Sequence, residues 1–386
     1  MARAFDAAGD AVLPDTSRAA PQVIAERPSG AALAQALAAG VFRIGGNGAA
    51  PVSGFETLTA GSSGVPRRIA RTHRSWTASF AVNAATFGVG PGRRVAVLGR
   101  LSHSLSLYGA VEALHLGAEL HLLDDLRPDR QRLALAARSV ELVYATPAQL
   151  RLMFESKGPD LPAMRWFLVG GSKLDAVLRR RIAAVAPQAD LREFYGAAET
   201  SFITLADPAC PTDAVGRPYP GVQLDIRDTA GEVLAQGRTG QVWVKSPYLF
   251  DGYAGSDVGG AVWRDGWLSV GEIGHLTAGY LTLSGRAGRM VTVADQNVFP
   301  EAIEAHLALL PYVRNIAVLP RNDGLRGFVL VAVAQGDASQ EAALLAAGRA
   351  EFGPLKAPRA VIWRDEWPRL PSGKSDLRRL AQEAGL

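Results

Sequence analysis

Between residues 94 and 196 short apolar runs recur at regular intervals: RVAVLG (94–99), AELHLL (118–123), VELVYA (140–145), RWFLVGG (165–171) and LREFYG (191–196). The runs are mostly apolar, so each predicts a strand buried on both faces. Helical segments lie between them, one of them over 104–117. Another helix precedes them, with Trp76, Phe80, Ala84 and Phe87 at helical spacing, and GVGPGRR ends it. Strand–helix–strand alternation of this kind predicts a parallel sheet covered by helices on both sides. Ligands in such sheets sit at the carboxyl ends of the strands. Two glycine-bearing loops fall there, after 165–169 and after 191–195.

The texture changes at about residue 213. VQLDIRD, GQVWVKS, GWLSVG and GHLTAGYLTLSG alternate with period two and turn on glycine, which predicts antiparallel hairpins. A second change follows SGRAGR (284–289). From there the chain reads strand, helix (300–310), strands at 313–319 and 328–334, helix (339–352), strand (360–363) and a final short helix. The expected fold class is therefore α/β. A large N-terminal domain over 1–288 has mixed and parallel sheets with helices, and includes a β-rich subdomain at about 213–284. A small, mobile C-terminal α+β domain occupies 289–386.

Composition narrows the functional classes. At 386 residues, 48% hydrophobic and 20% charged, the chain reads as an ordinary globular protein. The net charge of +4 is spread without a basic, aromatic-interleaved patch, so neither nucleic acid nor a membrane surface is an expected partner. The N-terminal segment carries Asp6 and Asp10 and has no apolar core of a signal peptide, and no run is long enough to span a bilayer. The single Cys210 rules out an internal disulfide and suits a reducing, cytoplasmic setting. The six histidines show no metal-ligand spacing. Of 41 basic residues only five are lysines, Lys157, Lys173, Lys245, Lys356 and Lys374. A lysine kept in so arginine-rich a chain suggests a need for a compact ammonium.

Several segments carry chemistry, each with a plainer reading beside it. TAGSSGVPRR (59–68) concentrates Thr59, Gly61, Ser62, Ser63 and Gly64 ahead of Arg67. Backbone amides and hydroxyls in such a loop can cradle phosphate, with an arginine adding charge-assisted bonds; otherwise it is a polar linker. It does not match G-x-x-x-x-G-K-S/T, and the GKS at 373–375 lies too near the end of the chain to be a nucleotide P-loop. His103 stands between serines just past a strand. In EFYGAAETSF (193–202), Tyr195 can stack on a purine and Glu199 can hold Mg2+ carried by phosphates; the plainer reading is a carboxylate at a helix start.

Together and in order, these segments resemble the adenylate-forming acyl- and aryl-CoA synthetases, relatives of adenylation domains and luciferases, from about Thr59 to Lys374. TAGSSGVPR is similar to the T-S-G-S/T-S/T-G-x-P-K phosphate loop, LSHSLSLYGAV to the H-S-x-G-L segment beside the acyl pocket, VGGSKL to the G-G-A-x-L adenine loop and FYGAAE to Y-G-x-T/S-E. VGRPYPGVQLDIRD with GQVWVKSP resembles the V-G-x-P-x-P-G run, and GWLSVGEIGHL stands where the family has W-x-x-T-G-D-x-G. LSGRAGRMVTVADQNVFPEAIE and LPSGKSDLRRL resemble the hinge segment and the terminal lysine motif.

The resemblance implies ATP, Mg2+ and CoA, or the phosphopantetheine of an acyl carrier protein, as cofactors, and a small carboxylic acid as substrate. It gives Thr59, Gly61, Ser62, Ser63, Gly64 and Arg67 to the phosphates. Gly171, Ser172, Tyr195, Gly196 and Glu272 go to adenine and ribose, and Glu199 to the metal. His103, Gly170 and Ala197 go to the acyl pocket, Arg289 to the hinge, and Lys374 and Arg286 to catalysis beside Glu199. Ala197, Ala198, Phe202 and Ile203 suggest an apolar pocket lining, hence a fatty or aromatic acid. Departures are Arg67 for the loop lysine, Ala60 for its first serine, Ala198 for a phosphate-contacting threonine, Glu272 for the ribose aspartate and Arg289 at the hinge. Roughly the first hundred residues of a typical member have no counterpart before the phosphate loop. These departures keep open a homologue that binds nucleotide without turnover. An unrelated α/β kinase or transferase is the remaining reading.

Overall fold

The computed structural model describes residues 20–59, 66–155, 157–255, 259–293, 296–323, 327–370 and 374–386. Its main sheet has thirteen strands. The parallel part runs in the order Glu119–Leu122, Arg94–Val97, Leu142–Ala145, Trp166–Val169, Asp190–Ala197. The apolar runs belong to these strands, whose successive side chains face opposite sides of the sheet. Val95, Val97, Leu142, Tyr144 and Leu168 join the core under helices Arg74–Phe87 and Ser104–His115. Ala96, Val143, Ala145, Phe167 and Val169 join the opposite core, under helices Pro128–Ala137, Pro147–Glu155 and Ala176–Val185.

Strand direction reverses at the 198–200 turn, where Asp190–Ala197 pairs antiparallel with Ser201–Leu205. The texture change read at 213 thus follows the reversal. From there the same sheet continues through Ala214–Pro218, Tyr280–Arg286, Glu272–Thr277 and Gly240–Lys245. A second sheet of five strands includes the hairpin Phe55–Leu58 with Arg68–Arg71, in the register Leu58↔Arg68. Of the segment 59–67, expected as a phosphate cradle, the described residues Thr59, Pro66 and Arg67 lie at the ends of these two strands, and 60–65 lie outside the described residues.

The C-terminal part is a three-stranded sheet, Val313–Asp323, Gly327–Gly336 and Ala360–Trp363, packed by helices Pro300–Leu307, Glu341–Lys356 and Leu377–Glu383. It has cores of its own, one built on Ile303, Leu307, Val318, Leu330 and Leu344. Among the described residues no helix is long and apolar enough to cross a membrane.

Candidate active site

The hairpin turn is closed at its base. The Thr59 amide donates to the Arg67 carbonyl at 2.9 Å, and the Arg67 amide to Thr59 Oγ1 at 3.2 Å. Gly61, Ser62, Ser63 and Gly64 lie outside the described residues. The strand leading into the turn is held against the segment before helix Ser104–His115: the Leu58 amide donates to the Ser102 carbonyl at 3.0 Å, and the His103 ring hydrogen-bonds the Leu58 backbone. Burial holds the His103 imidazole below its ordinary pKa; Glu26 and that bond oppose the shift, while Arg100 and Lys374 add to it. His103 is therefore a neutral ring at neutral pH, close enough to Lys374 to feel its charge.

Glu199 sits on the reversal turn and is held from three sides. Its carbonyl accepts from the Phe250 amide at 2.8 Å, and Tyr253 Oη donates to its Oε1 at 2.9 Å. Burial, then the Glu199 charge, push the Tyr253 phenol well above its ordinary pKa, so it stays a donor. Below the turn, Arg71 donates from Nε and Nη2 to the Ala198 carbonyl at 3.1 and 2.7 Å, and from Nη1 to the Tyr248 carbonyl at 2.9 Å and Ser75 Oγ at 3.0 Å. Burial lowers the Arg71 pKa to about 10, which leaves it charged at neutral pH. Thr200 does not supply the hydroxyl missing at Ala198. It is fully buried, and its Oγ1 accepts from the Ala197 amide at 3.0 Å to close the turn.

Glu272 and Arg286 face each other across the strand pair, with Nε 2.8 Å from Oε1. Glu272, which replaces an aspartate, is thus engaged by the neighbouring guanidinium. Tyr195 lies within range of both charges. Its hydroxyl is buried and has no hydrogen-bond partner among the described residues.

Lys374 reaches this cluster from the other domain. The Leu370 amide donates to the Lys374 carbonyl at 2.8 Å, and Trp367 Nε1 donates to Ser375 Oγ at 2.9 Å, so the loop ends are anchored. Lys374 is exposed to solvent. Enough protein surrounds its ammonium to lower the pKa by desolvation; Arg286 adds to this, and Glu272 and Glu199 oppose it. Four residues far apart in the sequence, Glu199, Glu272, Arg286 and Lys374, thus share one electrostatic neighbourhood. Arg67 joins it through Tyr253, whose phenol feels the Arg67 charge.

The glycines have packing reasons. A Cβ on Gly196 would lie 1.9 Å from the Ser201 carbonyl oxygen across the hairpin, and one on Gly170 would lie 2.4 Å from the Phe194 ring. Gly171 has φ +98° and contributes a left-handed bend before the exposed Ser172. Ala197 is half-buried at the end of its strand. Phe202 and Ile203 correct the expected pocket lining: both are buried in the core, Phe202 at 3% exposure and Ile203 at 0%.

At the segment expected to be the hinge, the Ala287 amide donates to the Gly271 carbonyl at 2.8 Å. Two residues later, Arg289 is held by the small domain, paired with both Glu304 oxygens at 3.0 and 2.7 Å and with the Val318 carbonyl at 3.1 Å. The attachment changes hands within the short turn Ala287–Arg289.

Tyr253 and Arg71 are the residues that sequence reading missed. Arg71 left one faint signal, a charged residue at an inward position of a period-two strand, RIAR, where Ile69 shares its face. No group of three His, Cys, Asp or Glu side chains that could hold a metal occurs among the described residues. A lone carboxylate, Glu199, fits a cation whose other ligands are phosphate oxygens and water.

Comparison with known proteins agrees with this geometry. The family model for the AMP-binding enzyme matches residues 57–254, and that for the AMP-binding enzyme C-terminal domain matches 302–374. An uncharacterized acyl-CoA ligase of Bacillus subtilis, YhfT, is 32% identical over 82% of this chain and 66% of its own length. The indoleacetate-CoA ligase of Aromatoleum aromaticum is 29% identical over 69% of this chain and 55% of its own. The chain thus spans little more than half to about two thirds of these relatives. The solved structure of the amide bond synthetase McbA from Marinactinospora thermotolerans superposes with a TM-score of 0.74 at 27% identity, covering 92% of this chain and 78% of that one. ATP-bound MatB from Rhodopseudomonas palustris, at 23% identity and a TM-score of 0.76 over 94% of this chain and 78% of that one, shares the fold. With both family models matched in order, the chain belongs to the AMP-binding enzyme family.

Proposed function

We propose that this protein activates a carboxylic acid with ATP and passes the acyl group to a thiol. The observation that supports the reading is that Lys374 lies within electrostatic range of Glu199, Glu272 and Arg286. In the first step a carboxylate oxygen attacks the α-phosphorus, the bond to the β-phosphate oxygen breaks, and acyl-AMP and pyrophosphate form. The Thr59–Arg67 turn holds the leaving phosphates. Tyr195, with Gly171, Ser172 and Gly196, borders adenine, and the Glu272–Arg286 pair meets the ribose. Lys374 neutralises the oxygens that carry charge as the bond forms; positioning and charge stabilisation are most of what such a step requires. Mg2+, held at Glu199, supplies charge neutralisation for the phosphates. The acid has an apolar body, in keeping with the apolar elements around His103, Gly170 and Ala197.

In the second step the sulfur of CoA, or of a carrier protein's phosphopantetheine, attacks the acyl carbonyl carbon and AMP leaves. Rotation of the small domain at Ala287–Arg289 withdraws Lys374 and opens the path for the thiol. The names of the relatives, which are CoA ligases, favour CoA. A second reading, a homologue that binds nucleotide without turnover, draws on one observation: Thr200 is committed to the turn and does not replace the hydroxyl lost at Ala198.

Acid-dependent ATP–pyrophosphate exchange, measured without a thiol, separates the two readings. The active protein exchanges; the binder retains ATP and does not. In the active case Lys374→Ala removes exchange but leaves thioester formation from supplied acyl-AMP largely intact. Equal loss of both half-reactions would contradict the assigned role of the lysine.

A further inference from the structure

The elements expected to enclose the acid are the start of helix Ser104–His115, the end of strand Trp166–Val169 at Gly170, and the 190–205 hairpin. The space among them is occupied by aromatic rings. Parallel pairing of Val169 with Glu193 brings Phe194 alongside Gly170, where its ring takes the room a Cβ would need. Phe194 packs on Phe202 with centroids 4.6 Å apart. Phe202 in turn stacks on Tyr219 at 4.8 Å and meets the edge of Tyr108 at 5.3 Å. Phe202, Tyr108 and Tyr219 are sealed from solvent, whereas Phe194 is half-buried.

The tyrosines behind Phe202 are fixed at both ends. Tyr219 Oη donates to Asn83 Oδ1 at 2.6 Å, and Tyr108 Oη lies 2.6 Å from Ser79 Oγ and donates to Glu112 Oε1 at 3.2 Å. Asn83 Nδ2 and Tyr144 Oη donate to the Glu112 carboxyl at 2.7 and 2.5 Å. Glu112 is fully buried and lies outside the reaction described above. Swinging either tyrosine aside breaks a buried hydrogen bond and strands its partner, so the wall does not yield as a loose apolar core would.

We infer that Phe194, backed by Phe202 and the hydroxyl-pinned Tyr108 and Tyr219, closes the acid site at short depth and restricts the substrate to short aliphatic carboxylic acids. The inference rests on the proposed acid activation and replaces the fatty or aromatic acid suggested by the composition of the 197–203 segment. A carboxylate placed near Lys374 and His103 must direct its body away from the phosphates, toward Phe194. A longer chain or an aryl ring then meets a wall whose displacement opens no ready-made space, because the rings behind it are already close-packed.

The test is ATP–pyrophosphate exchange with acetate, propionate, butyrate, octanoate, benzoate and cinnamate. The wild-type protein is expected to prefer propionate or butyrate over octanoate and benzoate by about 100-fold or more in kcat/KM, since methylene-scale misfits each contribute roughly 10- to 200-fold. Phe194→Ala should shrink that ratio at least about tenfold by gaining on the longer acids, with the KM for ATP unchanged. Gly170→Ala should lose exchange with every acid, and the double variant Gly170→Ala/Phe194→Ala should regain it, because the added Cβ then has room. Binding of propionyl- and octanoyl-sulfamoyl adenosine reads the same wall in a protein without turnover. Absence of exchange with a strong preference for the propionyl analogue would refute acid activation and uphold the wall. Equal use of octanoate and propionate, or equal affinity for the two analogues, overturns the wall.

Discussion

At the scale of single residues, the site is a set of charges whose geometry depends on neighbours outside the recognisable motifs. Glu199 is the clearest case. Its carboxylate is aimed by one phenol, Tyr253, 2.9 Å away. A hydrogen bond to a charged group contributes about 1.5–3 kcal/mol, and this one fixes orientation at a carboxylate proposed to hold Mg2+. Tyr253→Phe keeps the ring and its packing on Phe250. It should raise the Mg2+ concentration for half-maximal pyrophosphate exchange by roughly tenfold, with the protein still folded at the assay temperature. A Mg2+ titration of exchange beside a thermal melt checks this. An unchanged Mg2+ requirement would show that the phenol has no part in holding the carboxylate.

At the scale of elements, the buried network around Glu112 ties helices Arg74–Phe87 and Ser104–His115 to strand Leu142–Ala145 and to Tyr219. Burial pushes the Glu112 carboxyl from 4.5 up to about 7, against the hydrogen bonds from Tyr144, Asn83 and Tyr108. The folded protein therefore keeps a proton that the unfolded chain releases. The stability this contributes is complete below about pH 4.5 and is lost as pH rises through about 7, on the order of 3 kcal/mol across the window. Glu112→Gln cannot titrate. The difference in unfolding free energy between wild type and variant should thus shift against the wild type by about that amount between the two sides of the window. Denaturant unfolding on either side of it measures this directly. A difference independent of pH would mean that the carboxyl titrates normally.

At the scale of the whole molecule, one conformation is captured. Lys374 is in the cluster, and Arg289 is gripped by Glu304 of the small domain. In the proposed reaction, domain position controls chemistry through a charge that arrives and leaves. Desolvation and Arg286 hold the Lys374 pKa below the ordinary 10.5. The charged ammonium is the working form, so adenylate formation should fail as pH rises through that lowered value. The kcat/KM for ATP in the exchange assay reports the free protein and should show an alkaline limb earlier than an ordinary lysine gives. Thioester formation from supplied acyl-AMP, with Lys374 withdrawn, should lack that limb. A limb common to both half-reactions would contradict the swing of the domain.

Much of this was legible along the chain. The doubly covered parallel sheet follows from largely apolar strands, because a strand with helices on both faces has little place for alternating polar residues. Glu199 could be singled out in EFYGAAETSF and Lys374 among only five lysines, but the roles proposed for them, and for Glu272 and Arg286, come from the family resemblance. Tyr253, Arg71 and the aromatic wall could not be singled out. Phe194 stands in plain view in EFYGAAE, yet its place over Gly170 is a consequence of the register Val169↔Glu193 between two strands about two dozen residues apart. Phe202 and Ile203 looked like pocket lining by composition, and strand pairing turned both into the core. By itself the sequence determined which chemistry each segment can offer, since that is a property of residue type and local spacing. The tertiary structure alone decided which side chains orient that chemistry and how much room the substrate has, because long-range register and packing determine which atoms become neighbours.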